Sequence, residues 1–204
     1  MSLHPYLADT EPAVQHIFLG LTGYYSASLP SILQYRDEVG VIRMTKEENE
    51  EFLDAYKAHF ALETARAALA GSILQVAYSG LKQYPSGVPV TPQFSDLGVK
   101  GVNPQPAFCV GRLVRNIPIG LLIYAGRVQY NHWEEGEPTN PVARQVFREL
   151  VIAYNDDPGF DLGYVLDYPA PRPVSHHIIR LELGWRSYDA YLEDMSQLLP
   201  PPPE

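Results

Sequence analysis

Residues 46–83 read KEENEEFLDAYKAHFALETARAALAGSILQVAYSGLKQ, and this stretch decides the fold class. Just before it, Thr45 and Glu48 make a Ser/Thr-x-x-Glu box, in which each side chain satisfies a backbone donor the helix start would otherwise leave orphaned. Glu47, Glu48, Glu50 and Glu51 crowd the first turns, where the positive end of the helix dipole favours carboxylates. Phe52, Tyr56, Phe60, Ala67, Ala70, Leu74, Ala77 and Leu81 follow at steps of three, four or seven, which is one helical face. The small residues of Ala67–Gly71 let a neighbouring element approach closely, and Tyr84-Pro85 closes the segment. One helix over Lys46–Gln83 is predicted.

Upstream, Glu11–Gln34 is predicted helical, with Thr10 as N-cap and Pro12 in a first turn that tolerates proline. Gly20, Gly23 and Pro30 weaken it enough to allow two shorter pieces. Glu38–Met44 reads as a linker. Downstream, residues 85–106 form a Pro/Gly-rich loop with five prolines, a length that is usually functional or mobile inside a compact domain. Phe108–Glu134 is apolar nearly all round through Tyr124, the mark of a central helix, and Pro118 should bend it. A helix over Pro141–Tyr154 takes Asn140 as its N-cap, and Asn155-Asp156-Asp157-Pro158-Gly159 is a turn. Phe160–Tyr168 fits a short strand or a turn of helix equally well. Val174–Leu199 is the last predicted helix, and the prolines after it cannot continue it. The expected fold is all-α: a single domain over residues 1–204, a bundle of four to five main helices. The long loop at 85–106 lies between the second and third helices, and 200–204 form a disordered tail.

The bulk numbers agree with a globular chain: 204 residues, 46% hydrophobic and 19% charged. A net charge of −9 argues against a broad basic surface coating nucleic acid, though a small basic groove remains compatible with it. The single cysteine, Cys109, excludes an internal disulfide and a zinc site built on several cysteines. No apolar run reaches the roughly 18 residues of a membrane-spanning helix. The N-terminus, MSLHPYLADTEP, lacks the basic start and apolar stretch of a secretion signal, so a soluble, cytoplasmic protein is expected.

One constellation has the residue types for chemistry. The polar end of the central helix reads Gly126-Arg127-Val128-Gln129-Tyr130-Asn131-His132-Trp133. Five residues of helix separate Arg127 from His132 by about 140° of rotation, yet a long arginine can still reach a groove shared with the imidazole. Asn131 lies one turn after Arg127, nearer its face. Such a pair suits phosphodiester cleavage in RNA. The imidazole can move the proton of a 2′-hydroxyl or of the leaving oxygen. The guanidinium can hold the phosphate through two parallel hydrogen bonds and stabilise the growing charge. Attack by a 2′-hydroxyl needs no metal, and neither metal nor cofactor is expected. The spacing alone carries little, because Arg172 and His177 repeat it at a loop-to-helix boundary.

Arg-x4-His at the polar end of a late bundle helix resembles the HEPN superfamily, whose ribonuclease members carry an Arg-x(4–6)-His motif. The wider stretch IPIGLLIYAGRVQYNHW and the LGWRSY segment (Leu183–Tyr188) are similar to bacterial HEPN-like proteins. The resemblance implies a homodimer whose two Arg–His pairs line one cleft, and a metal-independent endoribonuclease in a toxin or phage-defence setting with an antitoxin-like protein partner. It makes Arg127, His132 and Asn131 the catalytic candidates. Val128 departs from the pattern, since active members commonly carry a polar residue after the arginine. The alternative is a non-catalytic dimeric module of the same fold that binds RNA or a protein.

Arg112, Arg115 and Tyr130 are the candidate RNA-binding residues beside that pair. The two arginines would touch phosphates, or else form ion pairs with acidic residues of the first or second helix. Tyr130, with Tyr24, Tyr25, Tyr78 and Tyr124, would stack on bases or else serve as core residues with a polar tip. His176-His177 and the His59/Glu63 pair have ligand chemistry, but adjacent histidines point about 100° apart on a helix and an HxxxE pair is common on ordinary amphipathic helices.

Overall fold

The computed structural model describes residues 3–24, 44–87, 97, 99, 105–135, 140–155 and 173–201. Helix α1 is Pro5–Tyr24, α2 is Lys46–Gln83, and a two-stranded antiparallel hairpin pairs β1 (Leu113–Val114) with β2 (Ile117–Pro118). Helix α3 is Ile119–His132 and α4 is Pro141–Asn155. The short α5 (Ser175–His177) runs on into a π-turn, Ile178–Glu182, and α6 is Tyr188–Leu198. The fold is all-α, as the periodicity requires, and among the described residues no helix is long and apolar enough to cross a membrane.

Helix α2 has the predicted limits. Its capping box is complete: Glu48 N donates to Thr45 Oγ1 at 3.2 Å, and Thr45 N donates to Glu48 Oε2 at 2.8 Å. Ala67, Ala70, Ile73, Leu74, Ala77 and Leu81 form its buried face. The run of small residues serves the expected close approach, because a Cβ on Gly71 would stand 2.5 Å from the Tyr130 ring of α3.

Helix α3 is the central element. Every residue from Ile119 to Gly126 is buried, and the helix packs against α2 and α4. Helix α1 packs on α2 and α6 through Leu7, Val14, Phe18 and Leu21. Asn140 caps α4 as expected, its Oδ1 accepting from Val142 N and Ala143 N, both at 3.0 Å.

Three boundaries differ from the sequence expectation. Helix α1 starts at Pro5, and His4 occupies the cap: its carbonyl accepts from Ala8 N at 3.1 Å and its Nδ1 from Tyr6 N at 3.1 Å. Thr10 therefore lies inside the helix, its hydroxyl donating to Tyr6 O at 2.8 Å, and Pro12 is interior rather than first-turn. The expected continuation to Gln34 falls outside the described residues, as do the 38–43 part of the linker, most of the 85–106 loop, the 156–172 segment and residues 202–204.

Second, Phe108–Glu134 is not one helix. Gln105–Phe108 is a turn of 3-10 helix and the hairpin follows it, so helix begins only at Ile119. The hairpin turn sets Arg115 at φ 49° and Asn116 at φ 64°, the left-handed pair that a two-residue turn between twisted strands needs. Pro118, at φ −60° and ψ 137°, stands at the cap of α3 and starts the helix instead of bending it. An apolar run reads alike as buried strand and buried helix, which is why the pattern alone does not show the hairpin.

Third, Val174–Leu199 is broken. Gly184 takes φ +69°, which ends the π-turn, and Ser187 caps α6 by accepting from Ala190 N. The LGWRSY segment is this break rather than helix interior. Trp185 within it is buried edge-on against Tyr191, 5.0 Å between ring centroids.

Candidate functional site

The C-terminal turns of α3 emerge from the core. Val128 is still buried, Arg127 and His132 are half-buried, and Asn131 is exposed. Arg127 reaches across to α2, where its guanidinium lies 4.7 Å from the centroid of the Tyr78 ring and its Nε donates to Gln75 Oε1 at 3.0 Å. With its amide oxygen turned towards the guanidinium, Asn131 accepts from Arg127 Nε and Nη2 at 3.0 and 2.9 Å. The one-turn spacing thus makes Asn131 a partner of Arg127, as the sequence suggests.

His132 pairs with a residue that sequence reasoning missed. Its Nδ1 lies 3.0 Å from Glu135 Oε1, in the 3-10 turn Trp133–Glu135 that extends α3. With Nδ1 engaged by the carboxylate, Nε2 is the ring nitrogen that faces away from this pair. The signal was present as three-residue spacing at a helix end, but a pair exposed to this degree is common and weak.

Arg127 and His132 line one open, mainly polar pocket of about 330 Å³. Tyr78, Tyr124, Val128, Asn140 and Pro141 complete its described wall, so α2, α3 and the start of α4 all contribute. Asn140, besides capping α4, donates through Nδ2 to Tyr124 Oη at 2.8 Å. Tyr78 stacks on Phe108 with ring centroids 5.0 Å apart and 15° between planes. Trp185 is packed in the core against Tyr191 of α6.

The other candidate residues lie elsewhere. Arg112 and Arg115 sit on and beside the hairpin, at the opposite end of α3, a helix about 20 Å long by its residue count. Arg112 makes a two-pronged pair with Asp194 of α6, Nε to Oδ1 at 2.9 Å and Nη2 to Oδ2 at 2.8 Å, and also donates to Leu183 O at 2.6 Å. Trp185 Nε1 donates to the same carboxylate at 2.7 Å. Arg115 lies 3.8 Å above the Tyr154 ring, with its Nε 3.9 Å from Glu182 Oε2. Burial holds the Glu182 carboxyl above its ordinary range, and burial with the Glu182 contact pushes Tyr154 up to about 12. Both arginines do find acidic partners, but on the C-terminal segment instead of the first two helices. Tyr130 covers Gly71, the use expected of a core aromatic.

The histidine pair and the HxxxE carboxylate resolve into a different group. His176 Nε2 lies 2.9 Å from Glu63 Oε2, and Arg66 contacts the other oxygen of Glu63. His176 and Arg66 are buried. The His176 hydrogen bond, with help from Arg66, draws the Glu63 carboxyl down to about 2. Ser175 Oγ donates to Ala67 O at 2.7 Å, so this group pins α5 onto α2. Among the described residues, no three His, Cys, Asp or Glu side chains are placed to share a metal ion.

Comparison with family models, with curated proteins and with solved structures returns no match to this chain.

Proposed function

We propose that this chain is a metal-independent endoribonuclease of HEPN type, working as a homodimer. The observation that carries the reading is that Arg127 and His132, five residues apart on one helix, line the same open polar pocket. His132 Nε2 takes the proton of a ribose 2′-hydroxyl while the 2′-oxygen attacks the adjacent phosphorus. The bond to the 5′-oxygen breaks, leaving a 2′,3′-cyclic phosphate, and a protonated imidazole (the second copy in a two-pair cleft) supplies the leaving oxygen's proton. Arg127 binds the phosphate and stabilises the charge on its oxygens, an effect of the kind that is worth about 10² to 10³ in rate per donor. Asn131 orients the guanidinium, and Glu135 orients the imidazole. A toxin or phage-defence setting with an antitoxin-like partner is the biological context this reading brings with it.

One observation favours the non-catalytic alternative, a dimeric module that binds RNA or a protein. Arg127 is already engaged by Gln75, Asn131 and Tyr78, as a purely structural arginine would be. Cleavage of mixed RNA in the presence of a chelator separates the two. The nuclease reading requires products ending in cyclic phosphate and a loss of at least about 100-fold in His132→Ala and in Arg127→Ala. Unchanged cleavage by His132→Ala would reject the assigned role, and bound but uncut RNA would identify the alternative.

A further inference from the structure

From the way the pocket wall is already committed, we infer that this site recognises the phosphate of its RNA and does not discriminate between bases. The inference rests on the ribonuclease reading of the same pocket. Base selection needs either an aromatic face on which a base can stack or amide and hydroxyl groups that can read its edge. The described wall offers neither in a usable form. Tyr78 has Phe108 stacked on its ring at 5.0 Å and the Arg127 guanidinium over it at 4.7 Å, so stacking partners already occupy it. Tyr124 is buried, tilted against Phe108 at 5.1 Å, and its hydroxyl is engaged by Asn140. Asn140 is the one amide among the described wall residues. Its oxygen accepts from two backbone donors of α4, and its nitrogen donates to Tyr124. Val128 and Pro141 present no side-chain hydrogen-bonding group.

What remains is charge. Arg127 uses Nε and Nη2 within the fold and keeps its other N–H groups for a ligand, and His132 keeps Nε2. A pocket of about 330 Å³ accommodates a phosphate with part of its ribose. Arg127 is the fixed positive charge of the described wall and would neutralise one phosphate. The logarithm of affinity should therefore fall against the logarithm of salt with a shallow slope, about −0.7 for a single strand.

The test uses the full chain and fluorescence anisotropy with 12-residue oligomers of uridine, adenosine and cytidine at several salt concentrations, with His132→Ala preventing turnover. Dissociation constants within about threefold of one another, the shallow slope, and a uniform weakening in the His132→Ala/Arg127→Ala double variant are expected. A tenfold preference for one base, or a loss in the double variant confined to one oligomer, would overturn the inference and leave the ribonuclease reading in place. A 2′-deoxy oligomer isolates that reading: DNA cut by the unmodified protein would sink the 2′-hydroxyl mechanism without touching base indifference. No binding to any oligomer would overturn both.

Discussion

Replacing Glu63 by Gln tests the energetics of the Glu63–His176–Arg66 group. In the folded chain the Glu63 carboxyl is drawn from 4.5 to about 2, chiefly by His176. That difference corresponds to about 3 kcal/mol of preference for the ionised form, an upper figure because the side chain is 28% exposed and partly screened. The sign follows from the direction. The unfolded chain binds the Glu63 proton more readily than the folded one, so the stabilisation is fully present above pH 4.5 and is lost as pH falls towards 2. Urea unfolding of the parent and of Glu63→Gln, followed from pH 7 to pH 2.5, measures it. At pH 7 the variant should be less stable by about 3 kcal/mol, because Arg66, its side chain 7% exposed, loses a carboxylate partner. Below pH 4.5 the two curves should converge by about 2 kcal/mol, since only the parent has this carboxylate to protonate. His176→Gln should shift the parent's acid limb more than Arg66→Gln does, as His176 is the larger cause. Parallel curves for parent and Glu63→Gln across that window would refute the reasoning.

Other outcomes follow from the same packing. Asp194→Ala strips a buried carboxylate from Arg112 and from Trp185 Nε1 and should cost about 3 kcal/mol in chemical denaturation, whereas a nearby exposed change such as Glu193→Ala should stay within about 0.5 kcal/mol. Asn140→Ala removes the α4 cap and the Tyr124 hydrogen bond, for an expected loss of about 1 to 2 kcal/mol measured as a fall in melting temperature. Gly71→Ala places a methyl 2.5 Å from the Tyr130 ring and should destabilise by about 1 to 3 kcal/mol, with Tyr130→Leu relieving part of that loss in the double variant. Cys109, buried and raised to about 11 by that burial, should react with an aromatic disulfide reagent only as fast as the chain unfolds; prompt native-state labelling would contradict its placement.

How much of this is legible in the sequence depends on whether the deciding interaction is local. Helix α2 is read to the residue because its capping box, acidic first turn and apolar face all lie within it. Asn140 is read for the same reason. The start of α1 is not, because His4 is an uncommon cap and its role depends on the ring reaching back to Tyr6 N. The hairpin is hidden by long-range contacts. Arg115 is a poor residue for a left-handed turn, and it is held there by Tyr154 and Glu182, which arrive from distant parts of the chain. In the pocket, the Arg127–Asn131 contact follows from helical spacing, while the Gln75 and Tyr78 contacts depend on how α2 crosses α3. Glu63 and His176 were each visible as polar residues with ligand chemistry, and nothing local says they meet.

The division of labour along α3 links these observations. Its first two turns are buried on all sides, and the hairpin before them is tied by Arg112 and Arg115 to the C-terminal segment. Its last turns carry Arg127 and His132 into a pocket shared with α2 and α4, with Asn131 holding the Arg127 guanidinium. A rod fixed at one end by core packing and ion pairs presents its other end with little freedom, and such rigidity is what a two-residue site needs, because small displacements of a charge-stabilising group cost rate steeply. It also explains why the hairpin arginines, though basic and close in sequence to the pocket residues, take no part in lining it. They anchor the far end of the helix, and their partners Asp194 and Glu182 neutralise them there. The positive charge of the described pocket wall therefore rests on Arg127, within a chain of net charge −9. A net negative chain with a single arginine in the described pocket wall disfavours indiscriminate coating of nucleic acid and leaves single phosphates as the unit the site can hold.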